Sequence, residues 1–132
     1  MEYKELTGQI IGAAIEVHRR LGPGYLESAY EEALCIELEH RHIGYERQKQ
    51  LSVYYRGQLI CEHRLDLVVE RLIIVELKAI SAIENIHFAV LRSYLKAAEL
   101  EHGLLLNFAS VSLTVKRVGR EQSARITPDL HV

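Results

Sequence analysis

The sequence contains no apolar run that approaches the ~20 residues required by a membrane-spanning helix. Its first residues, Met1 to Glu5, are polar and acidic, whereas a secretory signal has a basic start and an apolar stretch. Both absences argue against a membrane or secreted protein. We therefore expect a cytoplasmic protein that has no membrane partner.

Cysteine is also scarce, since Cys35 and Cys61 are the only 2 in the chain. They lie far apart and form no CxxC motif, so a thiolate metal site or a disulfide has little support. We expect two reduced, partly buried thiols that take no part in function.

The chain has no excess of positive charge, because 16 basic and 18 acidic residues give a formal net charge of -2. A protein that binds nucleic acid through charge alone is usually basic, so strong non-specific DNA binding is not expected. Nucleic acid is not excluded as a partner, because a divalent cation held by clustered carboxylates reverses the local electric field where a phosphate approaches. Local charge therefore matters more than total charge.

Repeats, low-complexity tracts, glycine-rich phosphate loops and GxSxG nucleophile motifs are all missing from the sequence. The 132 residues are 48% hydrophobic, which suits one compact domain. We assign that domain to residues 1–118. A loosely ordered tail is expected over residues 119–132, where no periodicity continues.

The sequence does contain a clear succession of hydrophobic patterns. Apolar residues at three- and four-residue spacing predict helices, and alternating ones predict strands. Gly22, Pro23 and Gly24 end the first helix, because glycine permits positive φ and proline cannot continue a helix. The predicted elements are helices at about 4–21, 26–42 and 83–98 and strands at about 45–55, 59–69, 72–77, 104–108 and 111–116. This order predicts an α/β sandwich in which helices flank a mixed central sheet.

Asp66, Glu76 and Lys78 interrupt two apolar runs that are separated by a polar break. Glu76 and Lys78 are two positions apart, so on a strand they point to the same face. A two-residue turn at 70–71 would put Asp66 and Glu76 on opposite faces. A three-residue turn at 70–72 pairs Asp66 with Glu76 instead, because a slip of one residue flips every side chain. We adopt the three-residue turn as the working prediction.

In this register one face of the paired strands is apolar and the other is charged. The apolar face is predicted to carry Leu65, Leu67, Val69, Ile73, Val75 and Leu77. The charged face carries Asp66, Glu76 and Lys78, and it is the candidate functional site.

The carboxylates of the charged face suit a hard metal ion. Asp66, Glu76 and the carbonyl of Leu77, together with Glu27, could hold Mg²⁺ or Mn²⁺ in an oxygen shell completed by water. Such an ion activates water and neutralises charge on a phosphate, while Lys78 can orient that water. The implied reaction is phosphodiester hydrolysis. The alternative is an exposed cluster of ion pairs, which contributes only ~0–1 kcal/mol to stability.

Other polar residues have two interpretations each. Glu27 either complements the dipole of the second helix from its first turn or is aimed at the charged face by the preceding turn. Arg64 is either a structural ion-pair partner, which we favour, or a phosphate contact. His18 is expected to be a packed or capping residue. Ser81 is expected to cap the third helix, with Glu84 completing a capping box.

Several motifs occur together and in order: Leu21 to Leu34, Glu46 to Gln48, Asp66, and Ile74 to Ala79. With them the chain resembles, over residues 5–118, the GxxExxxR family, a branch of the PD-(D/E)xK nuclease superfamily. The resemblance implies a restriction-endonuclease-like αβββαβ core and a Mg²⁺ or Mn²⁺ cofactor. It implies that the partner is nucleic acid, and we expect DNA rather than RNA. It also assigns Glu27, Asp66, Glu76 and Lys78 as the catalytic set.

The chain departs from the family pattern at two positions. Glu31 stands where the family name has arginine, which reverses the charge beside the site. Val90 stands where related RecB-like nucleases have a glutamine four residues before Tyr94, and His87 is the candidate replacement. We therefore expect metal binding more firmly than efficient cleavage. Arg64, His87 and Tyr94 are the candidate substrate contacts.

The alternative to an active nuclease is a catalytically weak or inactive nuclease-fold module that binds nucleic acid or protein. So small a domain has limited surface for a duplex. A homodimer or a protein partner is therefore compatible with the sequence.

Overall fold

The computed structural model describes residues 3–120. The elements are α1 (Tyr3–Leu21), α2 (Glu27–His40), β1 (Tyr45–Tyr55), β2 (Gln58–Val69), β3 (Ile73–Lys78), α3 (Asn85–Ala98), β4 (His102–Asn107) and β5 (Thr114–Gly119). The predicted order of helices and strands is confirmed. Residues 121–132 of the predicted tail lie outside the described residues, and β5 reaches one residue into the range assigned to that tail.

The five strands form one sheet in the order β1-β2-β3-β4-β5. Neighbouring strands are antiparallel except for β3 and β4, which run parallel. A parallel pair needs a crossover connection, and α3 provides it between β3 and β4. The mixed sheet flanked by helices is the predicted restriction-endonuclease-like α/β fold.

The sheet is covered by helices on both faces. On one face, α1 and α2 pack against alternate residues of the central strands, among them Leu67, Val75 and Leu106. On the other face, α3 packs through Leu91 and Leu95. This two-sided burial explains why the sequences of β3 and β4 are nearly continuous apolar runs rather than alternating ones.

The register of β2 and β3 is the predicted one. Leu67 pairs with Val75 and Val69 pairs with Ile73, so residues 70–72 form a three-residue turn. Glu70 and Arg71 have φ values of 51° and 59°, which the turn requires. The opposite side chains of Asp66 and Glu76 are therefore brought to the same end of the strand pair.

One residue of the predicted apolar face is misplaced, because Leu65 packs with Val68 and the residues under α3. The alternation of side chains breaks at Asp66. The ladder between β1 and β2 also skips one pair there, since Gln48 and Asp66 are not paired while the residues on either side are. Gln48 has φ of 52°, which takes it out of regular strand geometry and accounts for the break.

Three smaller predictions are also wrong. Helix α3 begins at Asn85 with Glu84 as its N-cap and His87 completing the capping box, so Ser81 is not the cap. The edge strand begins at Thr114 because Ser110 turns the chain by donating from Oγ to the carbonyl of Ser112 at 2.6 Å. Cys61 is exposed rather than partly buried, although both cysteines are free as expected.

The hairpin of β1 and β2 extends beyond the rest of the sheet. Because β3 pairs only with residues 67–69 of β2, the far end of the hairpin has no third strand among the described residues. Residues 54–62, which we call the arm, are exposed at every position and include Tyr54, Tyr55, Leu59 and Ile60. Within residues 3–120, no helix is long and apolar enough to cross a membrane.

Candidate active site

The candidate site lies where β3 and β4 end side by side. These parallel strands bring Lys78 opposite Asn107 at their carboxyl ends. The N-terminus of α2 and the start of α3 border the same edge, because Glu27 and His87 both lie near the end of β3. Four segments that are distant in sequence thus contribute to one place.

Asp66 and Glu76 bind the backbones of the strands that they face. The amide of Asp66 donates to Oε2 of Glu76 at 3.0 Å, and the amide of Leu77 donates to Oδ2 of Asp66 at 2.9 Å. The last backbone pair of β2 and β3 is Leu67 with Val75, so the two carboxylates continue the ladder where backbone pairing stops. Each carboxylate uses one oxygen in this way, which leaves Oδ1 of Asp66 and Oε1 of Glu76 for a cation.

The main-chain carbonyl of Leu77 is directed to the same place. The amide and the carbonyl of a strand residue point to the same side of the strand, and the amide of Leu77 points to Asp66. The carbonyl of the next residue, Lys78, points the other way and accepts from the amide of Phe108. The Leu77 carbonyl therefore has the direction that a metal ligand beside Asp66 needs.

The site carries more negative charge than its lysine offsets. Burial, followed by the nearby Asp66 carboxylate, raises the pKa of Glu76 to about 8, and the Glu76 side chain is 8% exposed. Burial also raises the pKa of Asp66, while the Leu77 amide and Lys78 act in the opposite direction. A bound cation would relieve this concentration of carboxylates.

Glu27 belongs to the same electrostatic cluster. Its side chain is exposed, yet partial loss of hydration and the charge of Asp66 raise its pKa, while Lys78 and the Ala79 amide oppose the shift. A carboxylate that only complemented the dipole of α2 would not depend on these residues of β2 and β3. Glu27 therefore lies within the electrostatic influence of Asp66 and Lys78.

Tyr30 fixes the turn that delivers Glu27. Its hydroxyl donates to the carbonyl of Gly22 at 2.6 Å and accepts from the amide of Tyr25 at 3.1 Å. The ring is fully buried and stacks on Phe108 with 4.6 Å between ring centroids. Both ends of the turn before α2 are therefore tied to the core.

Glu31 of α2 is not an uncompensated charge. The Nε of Arg47 donates to its Oε2 at 2.7 Å, and the Nε2 of Gln48 lies 3.0 and 3.1 Å from its two oxygens. The same arginine also pairs with exposed Glu32 at 2.8 Å. A guanidinium is thus present beside Glu31, but β1 supplies it rather than α2.

The loop after Lys78 is clamped by Asn107. The Asn107 side chain, 2% exposed, accepts from the amide of Ile80 at 3.1 Å and donates to the carbonyl of the same residue at 2.9 Å. It also accepts from the amide of Ala109 at 3.2 Å. These bonds fix the end of β3 and hence the residue that carries the site's ammonium group.

Helix α3 forms the remaining wall of the site. His87, Val90 and Tyr94 line a pocket of about 60 Å³ together with Glu76 and Lys78. Because the amide of Glu84 donates to Nδ1 of His87 at 2.8 Å, the imidazole carries its proton on Nε2. The predicted substrate contacts on α3 are therefore beside the carboxylates.

Arg64 is not the ion-pair partner that we favour from the sequence, because it makes no ion pair with a carboxylate among residues 3–120. Its Nη1 instead donates to the carbonyl of Gln48 at 3.1 Å. His18 is packed as predicted, 8% exposed, with Nε2 2.9 Å from the carbonyl of Ser110. Neither residue is needed to explain the carboxylate cluster.

The donors present fit a divalent cation that keeps part of its water. Among residues 3–120, no three side chains of His, Cys, Asp or Glu converge closely enough to hold an ion by themselves, so Glu27 does not complete a three-carboxylate shell. Asp66, Glu76 and the Leu77 carbonyl give an all-oxygen set, which is what Mg²⁺ prefers with several waters retained. The composition of the site matches the predicted cofactor.

The sequence contained signals for two features that its patterns alone did not identify. Glu31 falls at helical spacing with buried Leu34, Cys35 and Leu38, and a carboxylate in an apolar stripe indicates a buried partner. Asn107 ends a buried apolar strand, where a carboxamide is expected to need hydrogen-bond partners within the protein. Gln48 lies in the motif at 46–48, but no local pattern indicated its backbone geometry, which depends on residues far away in sequence.

Comparisons with known proteins agree with this geometry. A sequence model described as the PD-(D/E)XK nuclease superfamily matches residues 4–118. Among curated proteins, the search finds no match. A solved structure, described as the crystal structure of SSO0001, is similar with a TM-score of 0.57 and 16% sequence identity, over 73% of this chain and 50% of that chain. At this identity the likeness concerns the fold alone, and the chain corresponds to half of that longer protein.

Proposed function

Since the chain belongs to the PD-(D/E)XK nuclease superfamily, we propose that it is a Mg²⁺- or Mn²⁺-dependent nuclease that hydrolyses phosphodiester bonds of nucleic acid, with DNA ahead of RNA. The hydrogen bonds that join Asp66, Glu76 and Leu77 support this proposal most strongly, because they leave one oxygen of each carboxylate for a cation. Lys78 and Glu27 belong to the same cluster of charges.

Asp66, Glu76 and the Leu77 carbonyl would hold the ion, and Glu27 would face its water. When bound, the ion supplies Lewis-acid chemistry, which polarises a phosphate and makes water a stronger nucleophile. The site is buried enough to raise the pKa of Glu76, so its charges act in a medium that screens them less than bulk water does.

The chain's own residues position the reactants. Lys78 would orient the attacking water and stabilise the negative charge that develops on the phosphate oxygens. Water adds its oxygen to phosphorus, the P–O bond to the leaving group breaks, and the released proton passes to solvent or to the leaving oxygen. His87 would donate from Nε2 to a phosphate oxygen, because its Nδ1 is already held by the Glu84 amide.

The finer assignment to a GxxExxxR branch has mixed support. Gly24 and Glu27 have the required spacing, whereas Glu31 occupies the arginine position. Arg47 places a guanidinium beside this position from another strand. We propose that the ion pair of Glu31 with Arg47 takes over the role of keeping charge balanced beside the site.

Cleavage assays with matched variants test the proposed function. The full chain, with Mg²⁺ or Mn²⁺ added, is incubated with labelled single- and double-stranded DNA and RNA. Glu76→Ala and Lys78→Ala should abolish cleavage, whereas the exposed residues changed in Glu5→Ala and Lys96→Ala should not matter. The proposal fails if wild type cuts none of these substrates, or if the site variants cut as well as wild type.

The alternative, a nuclease-fold module that binds without cutting, is favoured by one surface. The arm exposes Tyr54, Tyr55, Leu59 and Ile60, each between 51% and 63%, and Val90 leaves the α3 wall of the site apolar. Such a module would form a stable complex or oligomer in solution. Its melting temperature would not rise with added Mn²⁺, which separates the two functions.

A further inference from the structure

Gln48 has a backbone conformation that its place in the sheet does not explain. Its φ of 52° lies in the left-handed region, and among the described non-glycine residues with positive φ it is the one within a strand. The others lie at turns or at a helix end. Non-glycine residues in this region are uncommon, and such strain is found mainly where it serves a site.

Gln48 sits directly across from Asp66. Arg47 pairs with Leu67 and Lys49 pairs with Leu65, so the skipped position between them is that of Gln48 and Asp66. Regular pairing there would have kept the alternation of side chains along both strands. The left-handed turn of the backbone instead sends the Gln48 side chain toward α2, where Glu31 lies.

Two contacts hold Gln48 in this conformation. Glu31 accepts from Nε2 with both of its oxygens, and Arg64 donates to the Gln48 carbonyl. The two oxygens of one carboxylate lie side by side, so a single N–H can reach both of them. The second N–H of the carboxamide is then available to Asp66, which lies across the ladder from Gln48.

We propose that Glu31 and Gln48 form a positioning pair, in which Glu31 holds the Gln48 carboxamide against Asp66 and so fixes the orientation of the metal-binding carboxylate. Arg47 holds Glu31 in place through an ion pair. This inference rests on the proposed function, because it assigns a role toward the metal that Asp66 would bind. Gln48 and Glu31 act through Asp66 and touch neither substrate nor metal.

Substitution of Gln48 by glycine separates positioning from fold stability. Glycine adopts positive φ without strain, so Gln48→Gly should melt at the wild-type temperature or above in metal-free buffer. Its affinity for Mn²⁺, measured by calorimetric titration of the full chain, should fall about tenfold or more, as for other residues that orient metal ligands. Gln50→Gly, on the same strand with regular geometry, should melt lower and keep wild-type affinity.

A double-mutant cycle tests whether Glu31 acts through Gln48. Glu31→Ala should weaken Mn²⁺ binding in the wild-type background and have no further effect when Gln48→Gly is present. Glu32→Ala removes the other partner of Arg47 without touching Gln48, and it should bind Mn²⁺ normally. Equal effects of Glu31→Ala in both backgrounds would overturn the pairing.

The outcomes distinguish this inference from the function on which it rests. If wild type binds no Mn²⁺, or Asp66→Ala binds it equally well, the proposed function fails and the positioning pair fails with it. If Asp66→Ala loses binding while Gln48→Gly keeps wild-type affinity, only the positioning pair is overturned. An equal loss of affinity in Gln48→Gly and Gln50→Gly also overturns it, because both changes would then act by loosening β1.

Discussion

The amide of Asp66 donates to the carboxylate of Glu76, so these two residues are joined backbone to side chain across two strands. This bond continues the hydrogen bonding between β2 and β3 beyond their last backbone pair. Both acidic side chains are thereby oriented before any ion arrives. Such preorganisation reduces the conformational entropy that metal binding must overcome.

Metal binding should stabilise the fold through Asp66. A ligand that binds only the folded state adds about 2.7 kcal/mol to the free energy of unfolding at a concentration 100 times its Kd. Saturating Mn²⁺ should therefore raise the melting temperature of wild type, and EDTA should reverse the rise. Asp66→Ala should show no rise. An equal rise in both proteins would place the bound ion elsewhere.

Glu76 should make the metal-free protein less stable as pH rises. Its pKa is raised from 4.5 to about 8 in the fold, so the folded chain binds this proton more tightly than the unfolded chain. The stability that results is complete below about pH 4.5 and is lost as pH rises through about 8. In EDTA, Glu76→Gln should flatten the decline of melting temperature across that interval. Glu5→Gln, at an exposed site, should leave the decline unchanged.

Tyr30→Phe should weaken the turn that delivers Glu27. The change removes the hydroxyl that binds Gly22 and Tyr25 but keeps the ring on Phe108. Loss of these hydrogen bonds should lower the free energy of unfolding by about 1 kcal/mol, measured by urea denaturation. Cleavage should fall by more than this loss of stability explains, because Glu27 is no longer held. Tyr54→Phe, 63% exposed, is the matched control and should change neither quantity.

Asn107→Ala should loosen the end of β3. It removes the hydrogen bonds to Ile80 and Ala109 and leaves their partly buried backbone groups unpaired. The expected loss is about 1–3 kcal/mol in the free energy of unfolding. Cleavage should also be slower, because Lys78 at the end of β3 is held less firmly. Asn85→Ala, at an exposed position, should have little effect on either. A variant with full stability would show that the loop is held by other contacts.

Local patterns were sufficient for the strand register and for the carboxylates that it brings together. Period-two alternation favoured pairing Asp66 with Glu76, because a two-residue turn would have put the two carboxylates on opposite faces. The position of Leu65 could not be obtained in this way. It depends on the left-handed Gln48, which is held from α2 by Glu31, a residue 17 positions from Gln48 along the chain.

The N-cap of α3 shows a different limit. Ser81 and Glu84 fit a capping box by spacing, yet Glu84 itself is the cap and His87 is its partner. The clamp of Asn107 holds Ile80 at a bend formed by residues 80–81, so the helix starts later. The local sequence allowed two N-cap positions, and tertiary contacts decided between them.

The arm has only one neighbouring strand along most of its length, so it can open while the sheet and both helical layers stay closed. Amide hydrogens there should exchange with solvent far sooner than those of β3 and β4. Substitutions or insertions in residues 54–62 would for the same reason leave the buried carboxylates undisturbed. The exposed arm can thus vary in sequence while the carboxylates at the centre of the sheet keep their positions.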